Sequence, residues 1–254
     1  METPLDRALA AMAADPGDDA LRLAFHERLA DAELFLLLSA EPQGETLDPE
    51  VFPADGGHYV LAFDREARLA GFAGGPAPYA ALSGRSLAGL LAGQGLGIGL
   101  NLGTPGETLV AAGTVDWLAG VLSARPEAVS ERPVEVFAPR GLPGRLVEAL
   151  SVKLALAEGL AEAAWLAGVR YEGGRRGHLL AVLGARPGAE AAVAQAVSEA
   201  LVFSGIEAGV LDVVFAAAGD PVATRLARVG LRFDIPGPPA PPPAPPRDAP
   251  PRLR

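Results

Sequence analysis

The eight residues from Leu96 to Gly103, LGIGLNLG, constrain the fold of this chain more than any other stretch. Leu96, Ile98, Leu100 and Leu102 alternate with Gly97, Gly99, Asn101 and Gly103. Successive side chains of a strand point to opposite faces, so the pattern describes a strand with one apolar face and one almost bare of side chains. Glycine inside a strand is costly and marks a place where another backbone or a ligand comes close. Two occupants fit the bare face. The preceding helical segment is itself small-sided, with Ala88, Gly89, Ala92 and Gly93, and is expected to cover it; a ligand or partner is the other. Gly95, Gly97 and Gly99 recur every two residues within a strand, not in the G-x-G-x-x-G register at a strand-to-helix turn, so they are not a dinucleotide cradle.

Around this strand the chain reads as alternating helices and strands. Thr3-Pro4 opens a helix with a Leu5, Ala8, Leu9, Met12 stripe, and Asp18 or Asp19 opens a second carrying Leu21, Phe25 and Leu29. The apolar run from Ala32 to Ser39 is a strand buried on both faces. The Glu-, Asp- and Pro-rich stretch from Glu41 to Gly57 reads as a long loop. A strand follows over His58 to Phe63, then a helix capped by Asp64 with Leu69 and Phe72 facing inward. Pro78 to Ser83 is a strand and Ser86 caps a short helix. After the glycine-faced strand come a strand at Thr108 to Ala112 and a helix started by Thr114 with Val115, Leu118 and Val121.

The polar segment at residues 123–132 is expected to be a linker between a first domain over residues 1–122 and a second over residues 133–235. The second reads strand (Val134 to Ala138), helix after Pro143, a hairpin of two strands turning at residues 172–177, helix after Pro187, strand (Val210 to Ala216). A short helix from Asp220-Pro221 and a strand over Leu231, Phe233 and Ile235 close it. That is a ferredoxin-like split β-α-β order. The fold class is therefore α+β, two domains each with a mixed α/β sheet. Residues 236–254 collapse to Pro, Ala and Arg, a composition that buries no apolar surface and is expected to be extended or disordered. The tail also contains spacings suited to grooves that bind Pro-rich ligands.

Composition excludes several chemistries. There is no cysteine, hence no disulfide, thiol nucleophile or thiolate metal site, which fits a reducing cytoplasm. The N-terminal residues lack the pattern of a signal peptide, and no run approaches the roughly 20 apolar residues of a membrane span. Through Leu122 there are 6 basic and 17 acidic side chains, so this half repels phosphate backbones and nucleic acid is not an expected partner. Lys153 is the single lysine, and no phosphate loop, H-E-x-x-H pair or G-x-S-x-G elbow occurs. His26, His58 and His178 fall in different elements, and neither a metal nor a cofactor is expected.

Two sets of residues remain as candidate binding positions. Arg85, at a strand-to-helix junction beside Ser86, suits either an anion held at a helix N-terminus or an ion pair within the acidic domain. With Gly97, Gly99, Asn101 and Gly103 it forms the first candidate site. Arg175 and Arg176, flanked by glycines, suit a small anion nest or a solvated hairpin tip.

An ordered series of blocks in the first half resembles the N-terminal domain of the SseB family, named for enhanced serine sensitivity. The blocks are Phe25-His26-Glu27-Arg28-Leu29, Glu33 to Leu38, Val60 to Phe63 followed by Asp64-Arg65-Glu66 and Leu69, Leu82 to Leu87, and Leu100-Asn101-Leu102-Gly103. They span about Leu5 to Gly120. Where the family commonly has Asn-Pro-Gly, Leu102 replaces the proline. The resemblance implies a bacterial cytosolic protein with no catalytic residues to carry over. The combined reading is a non-enzymatic cytosolic binding or adaptor protein of the SseB type whose partner, a protein or a small metabolite, is not identified. The alternative is a protein that binds, or an enzyme that acts on, a small amino-acid-like metabolite near Arg85 and the glycine-faced strand.

Overall fold

The computed structural model describes residues 2–42, 44, 46–124, 133–205, 211–217 and 219–238. Most of the expected linker and tail therefore lies outside the described residues. Two compact units make up the chain. The first comprises Met1–Ala128, Pro143–Leu150 and Val197–Val210; the second comprises Val129–Leu142, Ser151–Ala196 and Leu211–Arg254.

The first unit opens with α1 (Pro4–Ala14) and α2 (Asp19–Asp31), each begun as the cap residues dictate. Thr3 accepts from the Asp6 N–H while Asp6 reaches back to the Thr3 N–H, and Asp18 accepts from Ala20. There follow β1 (Glu33–Leu37), β2 (Val51–Ala54), β3 (Gly57–Phe63), α3 (Glu66–Ala73), β4 (Tyr79–Ser83), α4 (Gly84–Leu91), β5 (Leu96–Leu100), β6 (Thr108–Val110) and α5 (Ala112–Ser123). The sheet order is β4-β1-β3-β5-β6, with β2 also on β3. β3 and β5 are parallel; the other pairs are antiparallel.

The strand β2 falls within the expected long loop. Asp55 and Gly56, at φ 43° and 75°, turn the chain so that Ala54 pairs with Gly57. An Asp-Gly pair with both residues at positive φ is the tight turn that matches strand twist, and it was the signal for this hairpin. Three helix starts also differ from expectation. Arg65, not Asp64, sits at the N-cap of α3; Ser83, not Ser86, caps α4 by accepting from the Ser86 N–H; and α5 begins at Ala112, ahead of Thr114. Asp64 is drawn away from the cap by Thr3 and Arg68.

The two faces of this sheet are covered differently. On the first, Leu34, Leu36, Val60, Ala62, Ile98 and Leu100 pack with Leu5 of α1, Phe25 and Leu29 of α2, Leu87 and Leu91 of α4 and Leu118 of α5. On the second, Leu37, Leu61 and Phe63 pack with Leu69 of α3 and, partly exposed, Phe35, Tyr79 and Leu102. Phe72, expected to face inward, is exposed, with its ring 5.4 Å from that of Phe63.

The remaining elements are β7 (Pro133–Phe137), α6 (Gly144–Leu156), β8 (Ala163–Tyr171), β9 (Arg176–Leu183), α7 (Glu190–Phe203), β10 (Leu211–Ala216), α8 (Pro221–Val229) and β11 (Leu231–Asp234). The second half thus has the expected strand–helix order and belongs with the first to the α+β class. Its sheet runs β10-β9-β8-β11, with β7 also on β8. β9 and β10 are adjacent and parallel, without the third strand that a ferredoxin-like sheet interposes. α8 packs Leu226 against Ala167 and Ala181.

Candidate functional site

The bare face of β5 is filled from within its own sheet. Tyr59 on β3 pairs with Gly97, and a Cβ at Gly97 would lie 2.5 Å from both the Tyr59 ring and the Val110 carbonyl oxygen. A Cβ at Gly99 would lie 3.0 Å from Leu61 and 3.1 Å from Leu102. An aromatic side chain laid across a glycine on the neighbouring strand replaces the missing packing. Gly97 and Gly99 are buried. The expected cover by the small-sided helix is corrected: α4 puts Leu87, Ala88 and Leu91 against Ile98 and Leu100, the opposite face, because those leucines have the volume to fill a core and Gly89 does not.

Asn101 ends β5 in the left-handed conformation at φ 51°, 1% exposed. Its N–H donates to the Ala62 carbonyl at 2.9 Å, its Oδ1 accepts from the Asp64 N–H at 3.0 Å, and its carbonyl accepts from Thr104. Asparagine suits this place because it tolerates positive φ and its amide reaches neighbouring backbone. Nδ2 is buried without a hydrogen-bond partner among the described residues. Gly103, at φ 78°, donates its N–H to Glu107 and is exposed.

Asp64 continues the network. Its carboxylate accepts from Thr3 Oγ1 at 2.6 Å and Arg68 at 2.7 Å, and Arg68 forks onto Asp6 at 2.6 and 2.8 Å. The Arg68 guanidinium holds the Asp6 carboxyl down at about 2. The sequence marks Asp64 as a helix cap, not as a site residue, and does not single out Asp6 or Arg68. The four-residue spacing of Asp64 and Arg68 was the available signal. Together these groups fasten the start of α1 to the carboxyl ends of the parallel strands β3 and β5, where open α/β sheets commonly bind ligands.

Arg85 stands apart from this cluster. Its guanidinium grips the Glu199 carboxylate at 2.6 and 2.9 Å and approaches Asp31 at 3.4 Å. Glu199 is 2% exposed, and its charge raises the Arg85 pKa. A two-point fork of this kind uses the arginine donors that a small anion would need. The hairpin arginines separate likewise. Arg175 pairs with Asp212 at 2.9 Å and lies 4.1 Å above the Tyr171 ring, while Arg176 is exposed at the start of β9. Burial and the Asp212 carboxylate push the Tyr171 phenol up, and its hydroxyl donates to Asp212.

The histidines do not converge. His26 lies buried between the rings of Phe25 and Trp117, and burial lowers its pKa; His178 Nε2 meets the Arg140 carbonyl oxygen. Among the described residues no group of His, Asp and Glu is placed to hold a metal ion, and no helix is long and apolar enough to cross a membrane.

Among the described residues, the first unit leaves a ledge exposed on the second face at strand β4, the end strand of its sheet. Phe35 and Tyr79 pack edge to face at 5.4 Å, half-buried, beside exposed Ala81. Two exposed carboxylates adjoin them. The charge of Glu66, with burial and the charge of Glu33, pushes the Tyr79 phenol up. The periodicity of the sequence did not single out this ledge, because Phe35 reads as core in an unbroken apolar run.

Residues 5–117 match the family model of the SseB protein N-terminal domain, so this stretch is similar to that domain. No curated protein and no solved structure matches the chain.

Proposed function

We propose that this SseB-domain protein is a non-enzymatic binding or adaptor protein of the cytosol. Its recognition surface is the ledge of Phe35, Tyr79 and Ala81 with Glu33 and Glu66, and the partner is a protein presenting an extended segment with apolar and basic side chains. The observation that carries this reading is the pairing of half-exposed aromatic rings with two exposed carboxylates on an outermost strand. Aromatic rings supply contact area at low conformational cost, and the carboxylates select basic side chains. Arg85, the anchor for a small-anion site, favours this reading over a metabolite because it is already held by Glu199 and Asp31.

The test is affinity capture from the native cell with the wild-type chain, Ala81→Arg, and Arg176→Glu as an exposed control in the second unit. Ala81 is exposed, so the arginine repels a basic partner without disturbing a core. Partners captured by the wild type and the control but lost by Ala81→Arg are expected. Equal capture by all three chains would sink the ledge as the working surface.

A further inference from the structure

The backbone of β4 is paired on one side only. The Leu38 N–H donates to the Pro78 carbonyl and the Gly84 N–H to the Ala32 carbonyl, and between them Leu36 and Leu34 oppose Ala80 and Leu82. Residues that exchange hydrogen bonds alternate along an antiparallel pair, so Ala80 and Leu82 bond to β1 while Tyr79 and Ala81 turn their N–H and C=O groups outward. Among the described residues no strand lies beyond them. Native sheets guard such edges with charges, prolines, bulges or very short strands. The opposite end strand, β6, has three residues, and Pro53 interrupts β2. The five residues of β4 carry neither charge nor proline and keep their register on β1 throughout. Their side chains sort by face. Ala80 and Leu82 pack on the helical core, and Tyr79 and Ala81 stand on the ledge, with Glu66 near Tyr79 and Glu33 opposite Ser83.

We infer that β4 accepts an added strand from a partner protein, whose side chains at every second position run basic, apolar, basic. The inference rests on the reading of the ledge as a binding surface and names how the partner is held and what sequence it presents. A strand added at β4 exchanges hydrogen bonds with Tyr79 and Ala81 through its own alternate residues. Residues that oppose each other across a ladder put their side chains on one face, so those same alternate residues meet the ledge. The residue opposite Ala81 faces only a methyl group, which leaves room for an apolar side chain to reach the Phe35 ring. The two on either side of it reach Glu66 at the Tyr79 end and Glu33 at the Ser83 end, where basic side chains make charge-assisted hydrogen bonds. The pattern reads the same in both directions, so it serves parallel and antiparallel addition alike. A second copy of this chain fits poorly. Pairing two β4 strands about Ala81 would set Tyr79 opposite Ser83 and bring Glu66 of one copy beside Glu33 of the other at each end, like charges across a ladder.

The test uses the full-length chain and the fluorescein-labelled peptide Thr-Lys-Thr-Ile-Thr-Lys-Thr, followed by fluorescence anisotropy. One version of the peptide is N-methylated on the two lysines and the isoleucine, whose amides face β4 in the added strand. Another is N-methylated on the two inner threonines, whose amides face away. The unmethylated peptide is expected to bind saturably. Methylating the first set is expected to weaken binding about tenfold or more, and methylating the second by less than about twofold. Glutamates in place of the lysines are expected to abolish binding. On the protein, Ala81→Pro removes only an outward N–H, which an edge strand tolerates, and is expected to weaken the unmethylated peptide about tenfold at an unchanged melting temperature. The methylated peptides carry the test on the wild-type chain if that variant is destabilised. No saturable binding of the unmethylated peptide, or equal sensitivity to the two sets of methyl groups, would overturn the inference. A wild-type dimer that Ala81→Pro dissolves would give the edge to a second copy and overturn it as well. If binding is indifferent to methylation but lost with Ala81→Arg, side chains alone hold the partner: strand addition fails and the reading of the ledge stands.

Discussion

The two faces of the first sheet solve the same problem with different means. On one face α1, α2, α4 and α5 deliver large side chains to a core in which Leu34, Val60, Ile98 and Leu100 are wholly buried. Among the described residues the other face has one helix, α3, eight residues long, and repairs its own gaps by laying Tyr59, Leu61 and Leu102 over the glycines of β5. The helix-covered face therefore carries the stability. The self-filled face stays thin enough to leave Phe35 and Tyr79 half exposed, with Phe52 46% and Phe72 43% exposed. A face that needs no further helix is free for a partner.

The sharpest way to break this contrast is to thicken a close backbone contact on each side. Gly84 begins α4 so near α2 that a Cβ would overlap the Leu29 carbonyl oxygen, a backbone atom. Gly84→Ala is expected to cost about 4 kcal/mol or more in urea denaturation. Gly97→Ala meets a carbonyl oxygen and a ring that can swing aside, and is expected to cost about 2 kcal/mol. A larger loss at Gly97 would mean that the sheet's own packing, not the helical layer, dominates.

Deletions of apolar side chains extend the comparison. Leu87, wholly buried between α4 and the sheet, is expected to cost about 3 kcal/mol on change to alanine. Phe52→Ala, on exposed β2, is expected to cost under about 1 kcal/mol. Within the helical layer, Glu199→Gln leaves Arg85 with one carboxylate neighbour and a weaker fork. A loss of about 1 to 2 kcal/mol is expected, discounted because Arg85 is 39% exposed. A double-substitution cycle of Arg85 and Glu199 checks that the loss belongs to the pair.

Acid weakens the helical layer and its tie to α3 at different pH. His26 has a depressed pKa in the folded protein, so its unfolded form binds the proton first. Its contribution is fully present above its ordinary value of about 6.5 and is lost as pH falls from there towards the folded pKa. Asp6 is held at about 2, against 3.8 when unperturbed, so the stability from its pair with Arg68 is fully present above about pH 4 and is lost as pH falls towards 2. Melting temperature followed from pH 7 to pH 3 is expected to fall in two stages, the first beginning below about pH 6.5 and the second below about pH 4. The His26→Gln variant should lose the upper stage alone.

Much of this contrast was legible in the chain, because local rules govern it. The Thr3 and Asp18 caps, the run through β1 and the alternation of β5 as far as Leu100 all act over a few residues and each formed its element; past the left-handed Asn101 the expected strand ends, and Leu102 crosses to the glycine side. The candidate site was harder to read because it depends on partners far along the chain. Arg85 meets Glu199 across 114 residues, and Arg68 meets Asp6 across 62, distances that no local pattern encodes. The β5 glycines pointed to a close neighbour, but which neighbour depended on sheet register: Tyr59 opposes Gly97 only because β3 and β5 pair in parallel. Asp55-Gly56 could have been read and was obscured by the charge and prolines around it.

The smallest expected effect on stability is the most informative. Ala81 is exposed on β4 beside Phe35, outside both cores, so Ala81→Arg is expected to change stability by no more than about 0.5 kcal/mol. On the helical side no buried position could take an arginine so cheaply, since an unpaired buried charge costs several kcal/mol. A melt matching the wild type, together with loss of the partners that the wild-type chain captures, would separate the face that holds the fold from the proposed binding ledge. An Ala81→Arg melt lowered by several degrees would instead place Ala81 inside a packed surface, and the division between the two faces would fail at β4.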